Sequence, residues 1–205
     1  MQFYELATLT LNVGATPKAA PAIAAYLGES GRRGTLLGCW FSDLGNLNQV
    51  AVLRGFASRE DLAAERNGAL TSSSPFNCGE FLSAIMLDSY APFPDMPPVA
   101  TGRHGPVYEI RSYILKPGGL TPTLAAWAEA VPERTKYSKL VAAMYALDGA
   151  PRITHIWPYP SLNDRARIRG EAVARGIWPP KNGPAWLTPA MQATIYLPFD
   201  FSPLQ

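Results

Sequence analysis

Hydrophobic and polar residues alternate along two stretches of the chain, residues 3–15 and 107–119, and each stretch has glycine near its end, Gly14 in the first and Gly118-Gly119 in the second. Alternation with a period of two predicts a β-strand with one buried face, and the glycines predict a turn at its end. After each turn, apolar residues spaced by three and four positions predict a helix. In the helix after the first stretch the apolar stripe consists of Ile23, Ala24 and Leu27, and in the helix after the second stretch it consists of Leu124, Trp127 and Ala128.

Threonine followed by proline stands at the predicted start of both helices, as Thr16-Pro17 and as Thr121-Pro122. A threonine side chain can accept a hydrogen bond from a free amide at a helix N-terminus, and proline fits the first helical position. We therefore expect both threonines to cap their helices.

The pattern of a β-hairpin, a second helix and a final strand follows each first helix. Residues 36–58 and 140–161 each hold two strand-like runs around a glycine-containing turn. Ser58 and Ser161 each precede an aspartate by three residues, which predicts the start of the second helix. Each half therefore has the order strand, helix, strand, strand, helix, strand.

The two halves are copies of one unit. Tyr4 matches Tyr108 at an offset of 104 residues, and the offset drifts to 103 and 106 farther along, as expected when loops change length after a duplication. We assign residues 1–95 to the first unit, 96–106 to a proline- and glycine-rich linker and 107–205 to the second unit. Because a βαββαβ unit leaves one sheet face bare, we expect the two sheets to face each other. The prediction is an α+β fold, a single-chain pseudo-dimeric α/β barrel.

Several motifs of this repeat resemble the NIPSNAP family. They are Tyr108-Glu109-Ile110-Arg111 with Lys116-Pro117-Gly118, then His155, Trp157 and Tyr159, and in the first unit Trp40 with Asn46-Leu47-Asn48-Gln49-Val50. The first unit departs from the family pattern at Val52 and Arg54, and the second at Pro151-Arg152. The resemblance implies two ferredoxin-like units, as in the dimeric α/β-barrel fold shared with cofactor-free monooxygenases. It implies no settled activity; roles in vesicle traffic and mitochondrial signalling are proposed for eukaryotic members.

Composition narrows the class of protein and of partner. The chain has 205 residues, 47% hydrophobic and 17% charged, with a formal net charge of +2. That charge is too small to indicate nucleic acid as a partner, and no run approaches the ~18 apolar residues of a membrane span. The first strand begins almost at the first residue, so we expect no targeting segment and a cytoplasmic location. Cys39 and Cys78 lack the spacing of a metal site or a disulfide framework, so we expect reduced thiols and no metal.

Four arginines lie in and after the predicted last helix: Arg165, Arg167, Arg169 and Arg175. Arg165 and Arg169 share a helix face at a spacing of four, whereas Arg167 points elsewhere. A solvated helix face is the favoured interpretation, and an anion-binding patch is the alternative.

Polar and aromatic residues concentrate in the second unit. Glu109, Arg111 and Tyr113 share one strand face, and His155, Trp157 and Tyr159 share another. If both faces border the space between the sheets, His155 is a general base, Arg111 stabilises negative charge and Glu109 pairs with it. Tyr113, Trp157 and Tyr159, together with Trp40 and Asn48, would then contact the ligand. The competing interpretations are a core histidine, an ion pair at a barrel seam and aromatic residues that only fill space.

No cofactor motif accompanies these residues, so we expect no cofactor. The leading hypothesis is a NIPSNAP-type protein that binds a small planar or hydrophobic ligand or acts as an interaction scaffold, with a homo-oligomer as one form of assembly. The alternative is a cofactor-independent enzyme of the monooxygenase or isomerase type that uses the barrel cavity of the second unit.

Overall fold

Each half of the chain folds as a strand, a helix, a β-hairpin, a second helix and a strand. The computed structural model describes residues 1–205. The first half holds β1 (Phe3–Leu11), α1 (Thr16–Leu27), β2 (Thr35–Leu44), β3 (Gln49–Phe56), α2 (Arg59–Thr71) and β4 (Leu82–Pro92). The second half holds β5 (Val107–Leu115), α3 (Leu120–Arg134), β6 (Ala142–Ala146), β7 (Arg152–Tyr159), α4 (Leu162–Ala174) and β8 (Leu187–Pro198).

The eight strands close into one barrel in the order β1-β3-β2-β8-β5-β7-β6-β4. Two four-stranded antiparallel sheets, one from each half, are joined at two seams. At one seam β2 pairs with β8, where Trp40 lies opposite Pro198, and at the other β4 pairs with β6, where Tyr90 lies opposite Ala146. The predicted fold class, two ferredoxin-like units packed sheet to sheet, is confirmed.

The barrel separates three layers of buried side chains. The inner layer, between the two sheets, consists of Tyr4, Leu6, Leu37, Trp40, Ala51, Leu53, Tyr90, Tyr108, Ile110, Val141, Ala142, Met144, Ile156, Tyr196 and Leu204. The two outer layers lie between each sheet and its own helices. Successive side chains of β1 and β5 alternate between layers, with Tyr4 and Tyr108 inside and Glu5 and Glu109 outside.

Serine caps begin the second helix of each half, as predicted. The Ser58 hydroxyl accepts the amide of Asp61 at 3.1 Å, and the Ser161 hydroxyl accepts the amide of Asp164 at 3.0 Å. The predicted threonine caps are wrong. Ala15 and Gly119 occupy the N-cap positions with nearly helical backbone angles, so Thr16 already lies inside its helix.

One end of the barrel is closed by chain segments. The residues between β4 and β5 meet the C-terminal residues, where the amide of Gly102 donates to the carbonyl of Pro203 at 2.9 Å. Leu204 and Val99 pack against the inner layer near Tyr4, whose hydroxyl accepts the Val99 amide at 3.4 Å. The opposite end of the barrel is therefore the one that a ligand can enter. No helix has the length and apolar character needed to cross a membrane.

Candidate functional site

A cavity of about 520 Å³ occupies the open end of the barrel, between the two sheets. Its wall is formed by Leu6, Thr8, Asn46, Gln49, Met86, Asp88, Ile110, Ser112, Ile114, Arg152, Pro189, Ala190, Met191, Gln192, Thr194 and Tyr196. Both halves contribute strands to the wall, so the cavity exists only because the chain contains both units. Its volume falls within the range of about 300–1,000 Å³ typical of small-molecule sites.

The cavity exists because the inward side chains become smaller along β1 and β5. At the closed end the inward residues are Tyr4 and Tyr108, both almost fully buried. Two strand steps later, where the strands approach the open end, the inward residues are Thr8 and Ser112. Since alternate residues share a face, these small side chains leave space where tyrosines fill it at the other end.

An ion pair stands in the cavity wall. Arg152 Nη2 lies 2.7 Å from Asp88 Oδ1, and Arg152 Nε donates to the Tyr90 hydroxyl at 3.2 Å. Burial raises the pKa of the Asp88 carboxyl, and the charge of Arg152 opposes that rise. The pair therefore places the fixed guanidinium group of Arg152 beside the partly buried carboxylate of Asp88 in the cavity wall.

Hydroxyl and amide groups complete the polar part of the wall. The Ser112 and Thr154 hydroxyls lie 2.7 Å apart, and Thr154 donates to the Tyr90 hydroxyl at 3.0 Å. Across the cavity the Tyr196 hydroxyl donates to Gln49 Oε1 at 3.0 Å. These bonds hold the wall in one arrangement, as a preformed binding site requires.

The residues predicted to share the space between the sheets lie elsewhere. Arg111 is opposite His155 and Glu109 is opposite Trp157 in the β5–β7 register, and all four side chains face helices α3 and α4. Tyr113 and Trp157, like Tyr159, belong to the outer layer of the second half. The predicted placement is wrong because alternation defines two strand faces without showing which face is turned inward.

His155 is 2% exposed and sits in an aromatic environment. Its Nδ1 accepts a hydrogen bond from Trp157 Nε1 at 2.6 Å, and its ring lies 4.8 Å from that of Trp127. Burial, followed by the charges of Arg111 and Arg169, holds the pKa of His155 well below its usual range. The ring is therefore neutral at physiological pH and does not border the cavity.

Glu109 is fully buried and accepts bonds from three arginines. Its Oε1 lies 2.5 Å from Arg111 Nη1 and 2.5 Å from Arg165 Nη2, while its Oε2 lies 3.5 Å from Arg169 Nη1. Those hydrogen bonds and charges outweigh burial, the largest single influence, and lower the pKa of Glu109. The solvated-face interpretation is thus wrong for Arg165 and Arg169, which turn inward; it fits Arg167, which is 58% exposed.

Two further candidates lie in other places. Trp40 is fully buried in the inner layer, with its ring 5.2 Å from that of Tyr108. Asn48 has a left-handed backbone in the β2–β3 turn, and its carbonyl accepts the amide of Leu11 at 2.7 Å. Neither residue lines the cavity, although Asn46 and Gln49 in the same turn do.

Sequence reasoning missed the main polar groups of the cavity, which are Thr8, Asp88, Ser112 and Arg152. A usable signal was present, since Thr8 and Ser112 are repeat equivalents at the same position of the inward face. Asp88 and Arg152 gave no such signal, because they come from strands far apart in sequence. No three histidine, cysteine, aspartate or glutamate side chains are grouped to hold a metal ion, and Cys39 and Cys78 are free and buried.

The fold and cavity together define a single-chain α/β-barrel protein with a ligand-sized space at one end. The sequence model of the NIPSNAP family matches residues 4–77 and 108–203. The chain therefore belongs to the NIPSNAP family.

Relatives support this membership. The NipSnap homolog of Dictyostelium discoideum is 30% identical over 161 residues, which is 77% of this chain and 71% of that protein. The NipSnap protein of Drosophila melanogaster is 29% identical over 83% of this chain and 65% of its own length.

Solved structures support the fold alone. An anthrone oxidase-like protein superposes with a TM-score of 0.69 at 13% identity, over 100% of this chain and 94% of its own. A ferredoxin-fold protein from Listeria monocytogenes, related to antibiotic biosynthesis monooxygenases, superposes with a TM-score of 0.51 at 12% identity, covering 98% and 97% of the two chains.

Proposed function

We propose that this protein binds a small planar or hydrophobic molecule in the cavity at the open end of the barrel. The observation that carries the proposal is a cavity of about 520 Å³ walled by both halves of the chain. A single-chain barrel has no need of this space for stability, because packing the open end as tightly as the closed end would bury more apolar surface.

The wall indicates an amphipathic ligand. Leu6 and Ile110 provide apolar surface on opposite sheets, which suits a flat apolar body lying between them. Arg152 and Asp88 provide a donor and an acceptor for one polar group. The wall residues are about equally divided between polar and apolar side chains, which suits a ligand with both a polar and an apolar part.

Native mass spectrometry of protein purified from its host tests the proposal. Thr8→Phe places a phenyl ring in the cavity, whereas Ser83→Phe places the same ring on the exposed part of β4. We expect a bound small molecule in the wild type and in Ser83→Phe but not in Thr8→Phe. The proposal fails if the wild type has the bare mass of the chain, or if Thr8→Phe retains the molecule.

A cofactor-independent enzyme is the second candidate, favoured by one observation. Asp88 lines the cavity, and burial raises the pKa of its carboxyl, which is the direction needed for a group that moves a proton near neutral pH. In this role Asp88 replaces His155, which lies outside the cavity. If the protein is an enzyme, blocking turnover by Asp88→Asn changes which molecule stays bound. The mass of the co-purified ligand would then differ between wild type and variant. Equal ligand masses would argue against catalysis and leave ligand binding as the function.

An interaction scaffold is favoured by exposed apolar side chains around the open end. Met86, Met191, Leu44 and Leu47 are 53%, 44%, 51% and 59% exposed. Such a cluster is a common feature of contact surfaces between proteins. If the open end joins two copies of the chain, Met86→Lys will lower the number of subunits in the same mass spectrum; an unchanged number argues against assembly at this end.

The cytoplasmic location stays a prediction.

A further inference from the structure

A second polar site lies on the outer face of the second half, away from the barrel cavity. Four guanidinium groups and the single carboxylate of Glu109 lie there, three of them against that carboxylate and the fourth over the ring of Trp157. Arg111, Arg165 and Arg169 contact that carboxylate. Arg134 has no carboxylate within salt-bridge distance, and it is only 2% exposed. We call these four arginines the arginine cluster; it carries a large excess of positive charge for a half-buried layer.

The equivalent layer of the first half is balanced, which makes the excess informative. Glu5 occupies the position of Glu109, and there Arg54 lies between two carboxylates, 2.6 Å from Glu5 and 2.8 Å from Glu65. In the second half Ile168 stands where the first half has Glu65. The same fold thus gives its buried arginine two carboxylates in the first half, whereas three arginines share the one carboxylate of Glu109 in the second half.

Three donors in the outer layer of the second half lack a hydrogen-bond partner: the Tyr159 hydroxyl, His155 Nε2 and Arg165 Nε. The Tyr159 side chain is fully buried. Tyr159 lies on the same face of β7 as Trp157, whose ring lies beneath the Arg134 guanidinium of the arginine cluster. Buried polar groups are almost always bonded, so an unpartnered hydroxyl among cations marks the place of an absent acceptor.

Solvent reaches the cluster from the side of α4. Arg165 and Arg169 are 27% and 30% exposed, whereas Glu109 beneath them is inaccessible. The Arg134 guanidinium lies 4.5 Å from the centre of the Trp157 ring, which forms the floor. Glu109 Oε1 is already bonded to Arg111 and Arg165, while Arg169 is held by a single long contact of 3.5 Å. Arg169 therefore has donors to spare, and so does Arg134, whose Nη1 donates to the Ser138 hydroxyl at 2.7 Å.

We propose that the arginine cluster and the Tyr159 hydroxyl bind an oxyanion, the phosphate or carboxylate group of a small molecule. The planar guanidinium group matches both anions through paired hydrogen bonds, and these are stronger than neutral bonds. A phenol hydroxyl adds one donor at the floor. The site is independent of the barrel cavity, since the residues of the two sites lie on opposite faces of β5 and β7.

Calorimetric titration of the full chain at constant ionic strength tests the site, with inorganic phosphate in one arm and malonate in the other. Arg169→Gln removes one charged donor of the site, and Tyr159→Phe removes a hydroxyl that has no partner within the protein. Arg167→Gln is the matched control, because Arg167 lies on the same helix but bonds outward to Asp164 and Glu171. Urea melts of every variant check the fold.

We expect saturable binding of at least one anion by the wild type. Arg169→Gln and Tyr159→Phe should each weaken it by about tenfold, the effect of losing one hydrogen bond to a charged group, and Arg167→Gln by less than about twofold. Tighter binding of phosphate identifies a phosphorylated ligand, and tighter binding of malonate identifies a carboxylate ligand. Absence of saturable binding of both anions at millimolar concentration overturns the proposal. Equal weakening by Arg167→Gln would also overturn the proposal, because it would show general attraction by charge. Full affinity in both single variants, Tyr159→Phe and Arg169→Gln, would overturn it as well.

Discussion

Replacement of Arg54 by methionine should destabilise the protein far more than loss of an ordinary surface charge. Arg54 is 1% exposed in the outer layer of the first half. Its Nε and Nη2 donate to Glu5 Oε1 at 3.1 and 2.6 Å, and its Nη1 donates to Glu65 Oε2 at 2.8 Å. Methionine fills much of the same volume but leaves the fully buried carboxylate of Glu5 with no counter-charge.

The magnitude follows from that unpaired charge. Removing one partner of a buried ion pair costs about 3–5 kcal/mol, whereas replacing both partners costs much less. We therefore expect Arg54→Met to lower the free energy of unfolding by about 4 kcal/mol. The double variant Glu5→Gln/Arg54→Met should recover about 2 kcal/mol of this loss, because the buried group is then neutral. With a urea dependence of about 2.5 kcal/mol per molar, the single variant should unfold at a urea concentration about 1.6 M lower.

Equilibrium urea unfolding of the wild type, both single variants and the double variant measures the coupling. Arg33→Gln is the control, since Arg33 is 56% exposed and its contact with Asp61 at 3.1 Å should contribute less than about 1 kcal/mol. The reasoning is refuted if the effects of Glu5→Gln and Arg54→Met add without coupling, or if Arg54→Met is no worse than Arg33→Gln.

Four further expectations concern single positions. A histidine in the unfolded chain binds a proton near pH 6.5, whereas buried His155, with its lowered pKa, does not. The free energy of unfolding should therefore fall by about 1.4 kcal/mol per pH unit below about pH 6.5. Unfolding measured at several pH values should show a smaller fall in His155→Asn, and an equal fall would contradict the lowered pKa of His155. A Cβ at Gly38 would lie 2.0 Å from the buried Trp40 ring, so Gly38→Ala should cost about 1–3 kcal/mol in urea unfolding. Gly68→Ala, in open space within α2, should instead stabilise by up to about 1 kcal/mol. Ser161→Ala should lower the thermal stability by about 1 kcal/mol through loss of the α4 cap, and an unchanged melting temperature would show that the cap is dispensable.

The fold could be predicted because it follows from repeated local patterns. Alternation gave the strands, spacing of three and four gave the helices, and the internal repeat required the two bare sheet faces to be covered. Each of these signals lies within a few residues of sequence. The serine caps at Ser58 and Ser161 were predictable for the same reason, whereas Thr16 misled because helical backbone already begins at Ala15.

The site was less predictable because it depends on the choice between two strand faces. Polar residues such as Arg111 and His155 were assigned to the interior, since polar groups suggest a pocket. The inner face instead carries Ile110 and Ser112, and the small size of Ser112 and of its repeat equivalent Thr8 leaves the space of the cavity. Asp88 on β4 and Arg152 on β7 meet only because β6 joins β4 to close the barrel, and no pattern in either strand indicates the other.

The two faces of the repeated sheet have diverged to different degrees, and this difference connects structure with function. On the inner face, Tyr4 pairs with Tyr108 in the repeat and Thr8 pairs with Ser112, so both halves present similar surfaces to each other. A barrel closed by two copies requires this, because each inward side chain must pack against the other sheet. The outer faces pack mainly against the helices of their own half, and there the repeat equivalents differ more, since Ala7 corresponds to Arg111. The barrel cavity is therefore a joint property of both halves, whereas the arginine cluster belongs to the outer layer of the second half alone.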